Sequence, residues 1–349
     1  MTSATSIVRF GGELPLGCDP QSSDIQQLPR NVHAFSHGRA ALAWLAYARG
    51  PFRSAAMCAY TCPAVPALFR QLKLHLGFFD FGELDIAGTV SKLPRPCLVV
   101  IPAPFGWAPW VNASDLVREL GEGACVVIDA AQTAFGAVDF PVPPGGAVLS
   151  CPRKTMAIGD GALLAVEQFL ESEINELSHL TRLDDQALRK QEVRQLFAAG
   201  DICLEKEALE LDRKVESEWG FVPHAASRGS MTLIARADWA AHRKIRRDNA
   251  KRLAKNLSSR VELIVPKRVW EAPDVPFSFP LLHEDRDLVI QRLHAVRVFA
   301  TALWPTTECD PRSQPRAADL ARRLIALPVD QRYGASDMDR MTELVRPCL

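Results

Sequence analysis

The feature that most constrains the fold is a series of short, almost continuously apolar runs that alternate with helical patterns. The clearest runs are PCLVVIPAPF (96–105), ACVVIDAA (124–131), GAVLSC (146–151) and GALLAVE (161–167). Such runs are typical of strands with two buried faces, as in parallel sheets that helices cover on both sides. Helical patterns such as GRAALAWLAYARG (38–50) lie between the strands. The alternation predicts an α/β fold, with a mostly parallel sheet sandwiched by helices.

The pattern changes in the second half of the chain. Residues 168–220 are rich in Glu, Leu, Lys and Arg and predict solvated helices, and residues 236–257 predict a long amphipathic helix. Further predicted elements are a helix at 113–121 capped by Ser114 or Asp115, strands at 261–266 and 277–282, and helices at 285–297, 315–326 and 335–346. A chain of 349 residues is long enough for two domains. We expect a large domain over 1–235 and a smaller α+β domain over 236–349.

Composition excludes several classes of protein. The formal net charge is +0, so a strongly basic surface for nucleic acid is not expected. No apolar run is long enough to span a bilayer, and the first residues lack the apolar stretch of a signal peptide. The nine cysteines do not follow zinc-site spacing and are expected to be reduced thiols. We therefore expect a cytoplasmic protein without a bound metal.

Two polar residues follow buried strands at the edge where open α/β sheets place ligands. Asp129 ends the apolar run VVID, and Lys154 comes four residues after Ser150, which ends the next run. A glycine-bracketed turn, Gly159–Gly161, then leads into a third apolar run. Alone, such an aspartate is usually a helix cap and such a lysine is usually solvated. Their order and their flanks together indicate a site.

This order resembles the fold-type-I enzymes that use pyridoxal 5′-phosphate (PLP), and most closely the DegT/DnrJ/EryC1/StrS sugar aminotransferases. The resemblance is carried by SHGRAAL (36–42), AYTCP (59–63), IDAAQ (128–132) and SCPRKTMAIGDGALL (150–164). Weaker support comes from RRDNAKRL (246–253), LWP (303–305) and LPVDQRY (327–333). The resemblance covers most of the chain and is poorest in the middle helices. It implies the PLP-dependent fold type I, with the large domain binding the cofactor.

The resemblance also implies the roles of several residues. Lys154 is the expected covalent carrier of PLP and the residue that moves protons during turnover. Asp129 is expected to pair with the pyridine nitrogen and to favour its protonated form. Gln132 matches the residue that bonds the phenolic oxygen of the cofactor. Gly38, Arg39 and Ala40 match the turn that binds the phosphate at a helix start, and Ser150 matches its hydroxyl donor.

Two segments depart from the family pattern. In Tyr60-Thr61-Cys62, Cys62 occupies the position of the aromatic ring that usually stacks on PLP, so either Tyr60 turns inward or Cys62 packs on the cofactor. FVPHAASRGSM (221–231) replaces the stretch that reaches the partner subunit's cofactor, with Ser227 and Arg228 as possible substitutes. His37 and His224 are expected to be satisfied structural histidines, because lysine already fills the role of base.

The resemblance implies a homodimer that carries out ping-pong transamination. An amino acid, expected to be glutamate, supplies the amine, and a keto-substrate, expected to be a nucleotide-linked keto-sugar, accepts it. Two alternatives stay open at this point. Another PLP reaction, such as a lyase or an acyl transfer, would use the same lysine and aspartate. The departures in the ring-stacking and partner segments would also fit a degenerate paralogue without activity.

Overall fold

A computed structural model describes residues 9–133, 135–199, 202–257, 262–263, 273–305 and 309–349. The strands are β1 (Phe10–Gly11), β2 (Val32–Phe35), β3 (Ser54–Cys58), β4 (His75–Phe79), β5 (Cys97–Pro102), β6 (Ala124–Ala130), β7 (Ala147–Ser150), β8 (Ala162–Val166), β9 (Glu262–Leu263), β10 (Ser278–Leu282), β11 (Val298–Phe299) and β12 (Leu324–Pro328). Of the predicted strand at 261–266, only β9 falls within the described residues.

The α-helices pack on the sheets and join their strands. They are α1 (Gly38–Ala48), α2 (Ala64–Gln71), α3 (Ile86–Val90), α4 (Ala113–Leu120), α5 (Gly136–Asp139), α6 (Glu171–Ser178), α7 (Asp184–Ala199), α8 (Ile202–Glu218), α9 (Arg228–Arg236), α10 (Trp239–Leu257), α11 (Arg286–Ala295), α12 (Pro315–Arg323) and α13 (Ala335–Val345). In the described parts of the chain, none of the helices combines the length and the apolar character needed to cross a membrane.

The central sheet has seven strands in the order β2-β8-β7-β6-β5-β3-β4. Strand β8 runs antiparallel to both of its neighbours, and the other six strands are parallel to one another. The prediction of an α/β fold with a mostly parallel sheet is confirmed. Because β5, β6 and β7 are adjacent and parallel, their carboxyl ends lie together at one edge.

The core explains why the strands are apolar throughout. Along β5, Leu98 and Val100 belong to the buried cluster on one face of the sheet, and Val99 and Ile101 belong to the cluster on the other. Successive side chains of a strand point to opposite faces. Both faces of the sheet are therefore covered at β5, and the polar residues Asp129 and Ser150 lie at the carboxyl ends of β6 and β7.

The C-terminal part contains a smaller antiparallel sheet in the order β12-β10-β9. The N-terminal strand β1 pairs in parallel with β11, so residues near the start of the chain join this part. The division at 235/236 stays a prediction. The predicted helix at 315–326 was too long, because α12 ends at Arg323 and the next residues pair with β10 as β12.

The predicted cap of α4 was also wrong. The N-cap is Asn112, whose side-chain oxygen accepts hydrogen bonds from the backbone N–H groups of Ser114 (2.9 Å) and Asp115 (3.1 Å). Asparagine caps a helix start as well as serine or aspartate does, so the preceding position was equally suitable.

Candidate active site

Two cavities meet at Lys154. The first, here called the strand-end cavity, has a volume of about 340 Å³ and lies at the carboxyl ends of β6 and β7. Its walls include Gly38, Arg39, Cys62, Asp129, Cys151 and Lys154. The second, here called the C-terminal cavity, has a volume of about 700 Å³ and extends toward β10, β11 and β12. Arg153, Lys154 and Glu216 line both cavities, so Lys154 lies where the two meet.

Asp129 is placed by the register of the sheet. It pairs with Pro102 of β5 and Leu149 of β7, so its side chain emerges beside the end of the neighbouring strand. One carboxylate oxygen accepts a hydrogen bond from the N–H of Ala131 at 3.0 Å. Burial raises the pKa of this carboxyl, and the charge of Lys154 and the Ala131 N–H offset that rise only in part. A cationic ligand group beside Asp129 would stabilise its charged form.

Lys154 lies on a short turn that follows β7. Residues Pro152–Lys154 form one turn of 3₁₀-helix, and the N–H of Lys154 donates to the carbonyl of Cys151 at 3.0 Å. Arg194 of α7 is buried and braces this turn by donating to the carbonyls of Arg153 and Met156, each at 2.7 Å. The Lys154 amine itself has no hydrogen bond or ion pair to any described residue. It is therefore a positioned amine that remains available for a ligand.

The first turn of α1 contributes the third part of the site. Its N-cap, His37, makes no side-chain capping hydrogen bond, so the first N–H groups have no side-chain acceptor from the cap. Such groups, together with the helix dipole, attract anions. A Cβ on Gly38 would lie 3.0 Å from Sγ of Cys151, so the glycine lets the helix start approach the end of β7. Gly38 and Arg39 line the cavity, and Ala40 is fully buried behind them.

Glu216 is a cavity residue that no local sequence motif indicates. It projects from the end of α8 and forms ion pairs with Arg153 at 2.9 Å, Arg39 at 3.5 Å and Lys190 at 3.5 Å. Burial alone would raise its pKa, but these three cations lower it below the usual value. The many charged residues in 168–220 predict solvent-exposed helices, which hides the buried position of Glu216. The local sequence feature that indicates burial is Trp219, and the guanidinium carbon of Arg153 lies 4.8 Å from the centre of its ring.

His37 is held as a neutral structural residue. Its Nδ1 lies 2.8 Å from the Ser36 hydroxyl, its Nε2 lies 3.2 Å from the carbonyl of Gly220, and its ring stacks on Trp219. Burial, together with Arg153 and Arg39, lowers its pKa to about 3. Both ring nitrogens are used in these contacts. His37 is therefore unsuited to serve as a base, as the sequence analysis expected.

Cys62 lies in the wall of the strand-end cavity, whereas Tyr60 lies outside it. The Tyr60 hydroxyl donates to the carbonyl of Leu303 at 2.7 Å, and its ring packs against Phe81, Phe105 and Trp304. This aromatic cluster holds the C-terminal segment against the sheet edge. Tyr60 does not turn toward a ligand in the strand-end cavity because its contacts lie with that segment. Thr61 is buried and is also absent from the cavity wall.

Other predicted residues have structural partners outside the cavity wall. The Gln132 side-chain oxygen accepts from the N–H of Phe105 at 2.6 Å, and the Ser150 hydroxyl accepts from the N–H of Ala137 at 3.2 Å. Ser227 caps α9 and donates to Asp160 of the glycine-bracketed turn at 2.6 Å. The N–H of Arg228 donates to Asp184 at 3.1 Å. Asp129, Lys154, Gly38, Arg39 and Cys62 are therefore the predicted residues that the fold brings together.

No protein-family model and no curated protein matches the sequence. Among solved structures, a DegT DnrJ EryC1 StrS aminotransferase from Brucella abortus is similar over 93% of this chain and 86% of its own, with a TM-score of 0.62 and 16% identity. The aminotransferase TlmJ from Streptoalloteichus hindustanus matches over 91% of this chain and 86% of its own, with a TM-score of 0.62 and 18% identity.

A third similar structure is S. venezuelae DesV in complex with a ketimine intermediate. It matches over 93% of this chain and 91% of its own, with a TM-score of 0.63 and 16% identity. The chain has the fold of the DegT/DnrJ/EryC1/StrS aminotransferases. The match extends over nearly the whole chain, so the fold expected from the sequence motifs is confirmed.

Proposed function

We propose that this protein is a PLP-dependent aminotransferase. The observation that carries the proposal is that Asp129 and Lys154, from the ends of adjacent strands, line one cavity together with the first turn of α1. The cavity therefore combines a carboxylate, an amine without a partner among the described residues, and the N–H groups of a helix start. PLP needs each of them, for its ring nitrogen, its aldehyde carbon and its phosphate respectively.

The residues present fit the cofactor. The raised pKa of Asp129 reflects a buried carboxyl with no ion-pair partner among the described residues, and a protonated pyridine nitrogen would supply that partner. The free Lys154 amine would hold the cofactor covalently, and the N–H groups of Gly38, Arg39 and Ala40 would bind its phosphate. Cys62 would face the ring where an aromatic side chain is usual. Ser150 has a hydroxyl hydrogen that remains available to donate.

When bound, PLP supplies an electron sink for the negative charge that develops at the Cα of an amino acid. The chain's own groups then have distinct tasks. Asp129 keeps the ring nitrogen protonated. Lys154 would take the proton from Cα and pass it to the aldehyde carbon of the cofactor, and it would move a proton in the opposite direction when the amine is delivered to the acceptor. Because Lys154 lines both cavities, it would be placed to do this while the substrate occupies the C-terminal side.

The substrates and the assembly follow from the same proposal. Glutamate loses its amine and leaves as 2-oxoglutarate, and a keto-substrate then accepts the amine in the second half of a ping-pong cycle. The similarity to sugar aminotransferases such as CalS13 from Micromonospora echinospora supports a nucleotide-linked keto-sugar as acceptor. We further propose a cytoplasmic homodimer, in which the segment 221–231, with Ser227 and Arg228, would take the place of the stretch that reaches the partner subunit's cofactor.

The test is the first half-reaction in isolation. Purified protein supplied with PLP and glutamate, without any acceptor, is expected to form one 2-oxoglutarate per bound cofactor as the visible absorption of PLP disappears. A lyase would instead release products over many turnovers. Bound PLP that never reacts with any amino acid would indicate a degenerate paralogue, and either result would contradict the proposal.

A further inference from the structure

The carbonyl of Thr155, the residue after Lys154, is contacted by three buried side chains. Nε2 of His242 lies 3.0 Å from the oxygen, Nη2 of Arg246 lies 3.1 Å from it, and Nε2 of Gln331 lies 2.9 Å from it. A backbone carbonyl has two lone pairs, so three donors exceed what this oxygen needs in order to be buried. The donors lie 87, 91 and 176 residues further along the chain, so distant segments converge on this one group.

His242 is held as a neutral donor. A carbonyl only accepts hydrogen bonds, so Nε2 carries the hydrogen, and Nδ1 is then an acceptor without a hydrogen-bond partner in the described part of the chain. The side chain is fully buried, and burial together with the charge of Arg246 lowers the pKa of His242 to about 3. The ring therefore stays neutral over the ordinary pH range. Its one hydrogen bond to a described residue is the bond to Thr155.

The turn that carries Lys154 is also held from a second direction. Arg194 binds two carbonyls of this turn, each at 2.7 Å. One carboxylate oxygen of Asp19 accepts from the N–H of Ala157 at 2.8 Å, and the other accepts from Gln331 at 2.5 Å. The backbone of the turn is thus fixed on several sides, whereas the Lys154 amine has no partner among the residues that the structure describes.

We propose that His242, Arg246 and Gln331 are positioning residues for Lys154. By fixing the Thr155 carbonyl they fix the backbone from which the lysine reaches the cofactor. Lysine has a long, flexible stem, so its amine is well placed only if that backbone does not move. Displacement of a reacting group by about 1 Å can slow a reaction by about a hundredfold. This inference rests on the proposed function and adds residues that act through the lysine.

Substitutions of His242 test the proposal with little disturbance of the core. His242→Met removes the donor and fills similar space, whereas His242→Gln keeps an N–H donor that can reach the same carbonyl. His242→Phe also lacks the donor but keeps a ring against Phe135, so a donor-free variant remains if the methionine variant fails to fold. In each variant Thr155 keeps two donors. Thermal unfolding of all three should therefore stay close to that of the wild type.

Hydrogen exchange of the cofactor-free protein measures the turn directly. The N–H groups of Lys154, Thr155 and Met156 are bonded within the turn, so their exchange rates report its opening. Mass spectrometry should show exchange at 153–157 about fivefold faster in His242→Met and His242→Phe, as expected for loss of one neutral hydrogen bond. His242→Gln should exchange at nearly the wild-type rate.

The second readout is the rate at which Lys154 takes up PLP, followed by visible absorption. We expect uptake to be slower by about fivefold or more in His242→Met and to be restored in His242→Gln. In the half-reaction with glutamate, kcat should fall while KM stays unchanged, because His242 is buried outside both cavities.

The matched control is His33→Met. His33 lies on β2, its buried Nε2 also has no hydrogen-bond partner in the described residues, and it lines neither cavity. This variant should match the wild type in exchange at 153–157 and in PLP uptake.

Three outcomes would overturn the inference. They are wild-type exchange and uptake in both donor-free variants, equal impairment of His242→Gln and His242→Met, and faster exchange over the whole chain with a lower unfolding temperature, which would indicate a purely structural role. Failure of the wild type to take up PLP would contradict the proposed function itself. Wild-type uptake that is unchanged in the donor-free variants contradicts only this inference.

Discussion

The two walls of the strand-end cavity are built in different ways. Asp129 and Lys154 come from the ends of adjacent strands, and each lies within a few residues of a buried apolar run. Glu216 lies near the end of α8, which follows α6 and α7 in the chain. Its position depends on ion pairs with Arg39, Arg153 and Lys190. The strand wall, formed by Asp129 and Lys154, can therefore be predicted from local sequence motifs. The helical wall, formed by Glu216, is positioned by ion pairs with residues that are distant in sequence.

This difference predicts that the strand wall performs the chemistry and the helical wall supports it. Substitutions in the strand wall should abolish or greatly slow the reaction and leave the stability of the fold nearly unchanged. Substitutions in the helical wall should mainly alter the stability of the fold.

The largest effect is expected for Lys154→Ala. Without the amine, no group of this chain would carry the cofactor or move the substrate proton, so turnover should fall to background. The fold should persist, because the Lys154 amine has no partner among the described residues. Activity assays and thermal unfolding would be compared with Lys92→Ala, which removes an exposed lysine. Retained transamination in Lys154→Ala would show that the strand wall is not the catalytic one.

Asp129→Asn should have the next largest effect. The amide keeps the shape but cannot hold a proton on the pyridine nitrogen, so loss of the Cα proton should slow by about a thousandfold, or about 4 kcal/mol of transition-state stabilisation. Single-turnover spectra with glutamate would measure this rate directly. Asp115→Asn, at an exposed position of α4, is the control. A near wild-type rate would make Asp129 a structural residue at a strand end.

Gly38→Ala should have a moderate effect on cofactor affinity. The new methyl group would lie 3.0 Å from Sγ of Cys151, so the Cys151 side chain or the start of α1 must shift by a few tenths of an ångström. We expect PLP to dissociate more readily, by about tenfold, if one hydrogen bond to the phosphate is weakened. Gly229→Ala is the control, because a Cβ there meets nothing within 4 Å. Equal PLP affinity in both variants would argue against a phosphate site at α1.

The smallest effect is a pH dependence of stability that originates in the helical wall. The pKa of Glu216 is lowered in the folded protein, because Arg153, Lys190 and Arg39 outweigh the effect of burial. Its ionised form therefore stabilises the fold above its unfolded pKa of about 4.5, and this contribution is lost as the pH falls through the lower folded value.

Glu216→Gln should accordingly be less stable than the wild type at neutral pH, and the difference should shrink as the solution becomes acidic. Denaturant unfolding at several pH values would measure it, with Glu119→Gln, exposed on α4, as the reference. A difference that is constant or grows toward low pH would contradict the assigned ion pairs.

The sheet and the positions of Asp129 and Lys154 were predictable because strand patterns are local. The apolar runs of β5 to β8 are bounded by polar or turn residues, and the register of parallel strands then brings their ends together. The end of α12 was not predictable in this way. Leu324 to Pro328 form a strand because they pair with β10, a contact that no local pattern records.

The orientation of Tyr60 depends on a contact that is still longer in sequence. Tyr60 is drawn away from the strand-end cavity by the carbonyl of Leu303, which lies 243 residues further along the chain. Polar residues whose partners are distant in sequence are the part of the site that only the structure reveals.

The most direct test of the account is the site of cofactor attachment. The protein would be incubated with PLP, reduced with borohydride, digested and analysed by mass spectrometry, with Lys154→Ala treated in parallel. The account predicts a single modified peptide that contains Lys154, and no modified peptide from the variant. Attachment at another lysine, or unchanged labelling of Lys154→Ala, would contradict it.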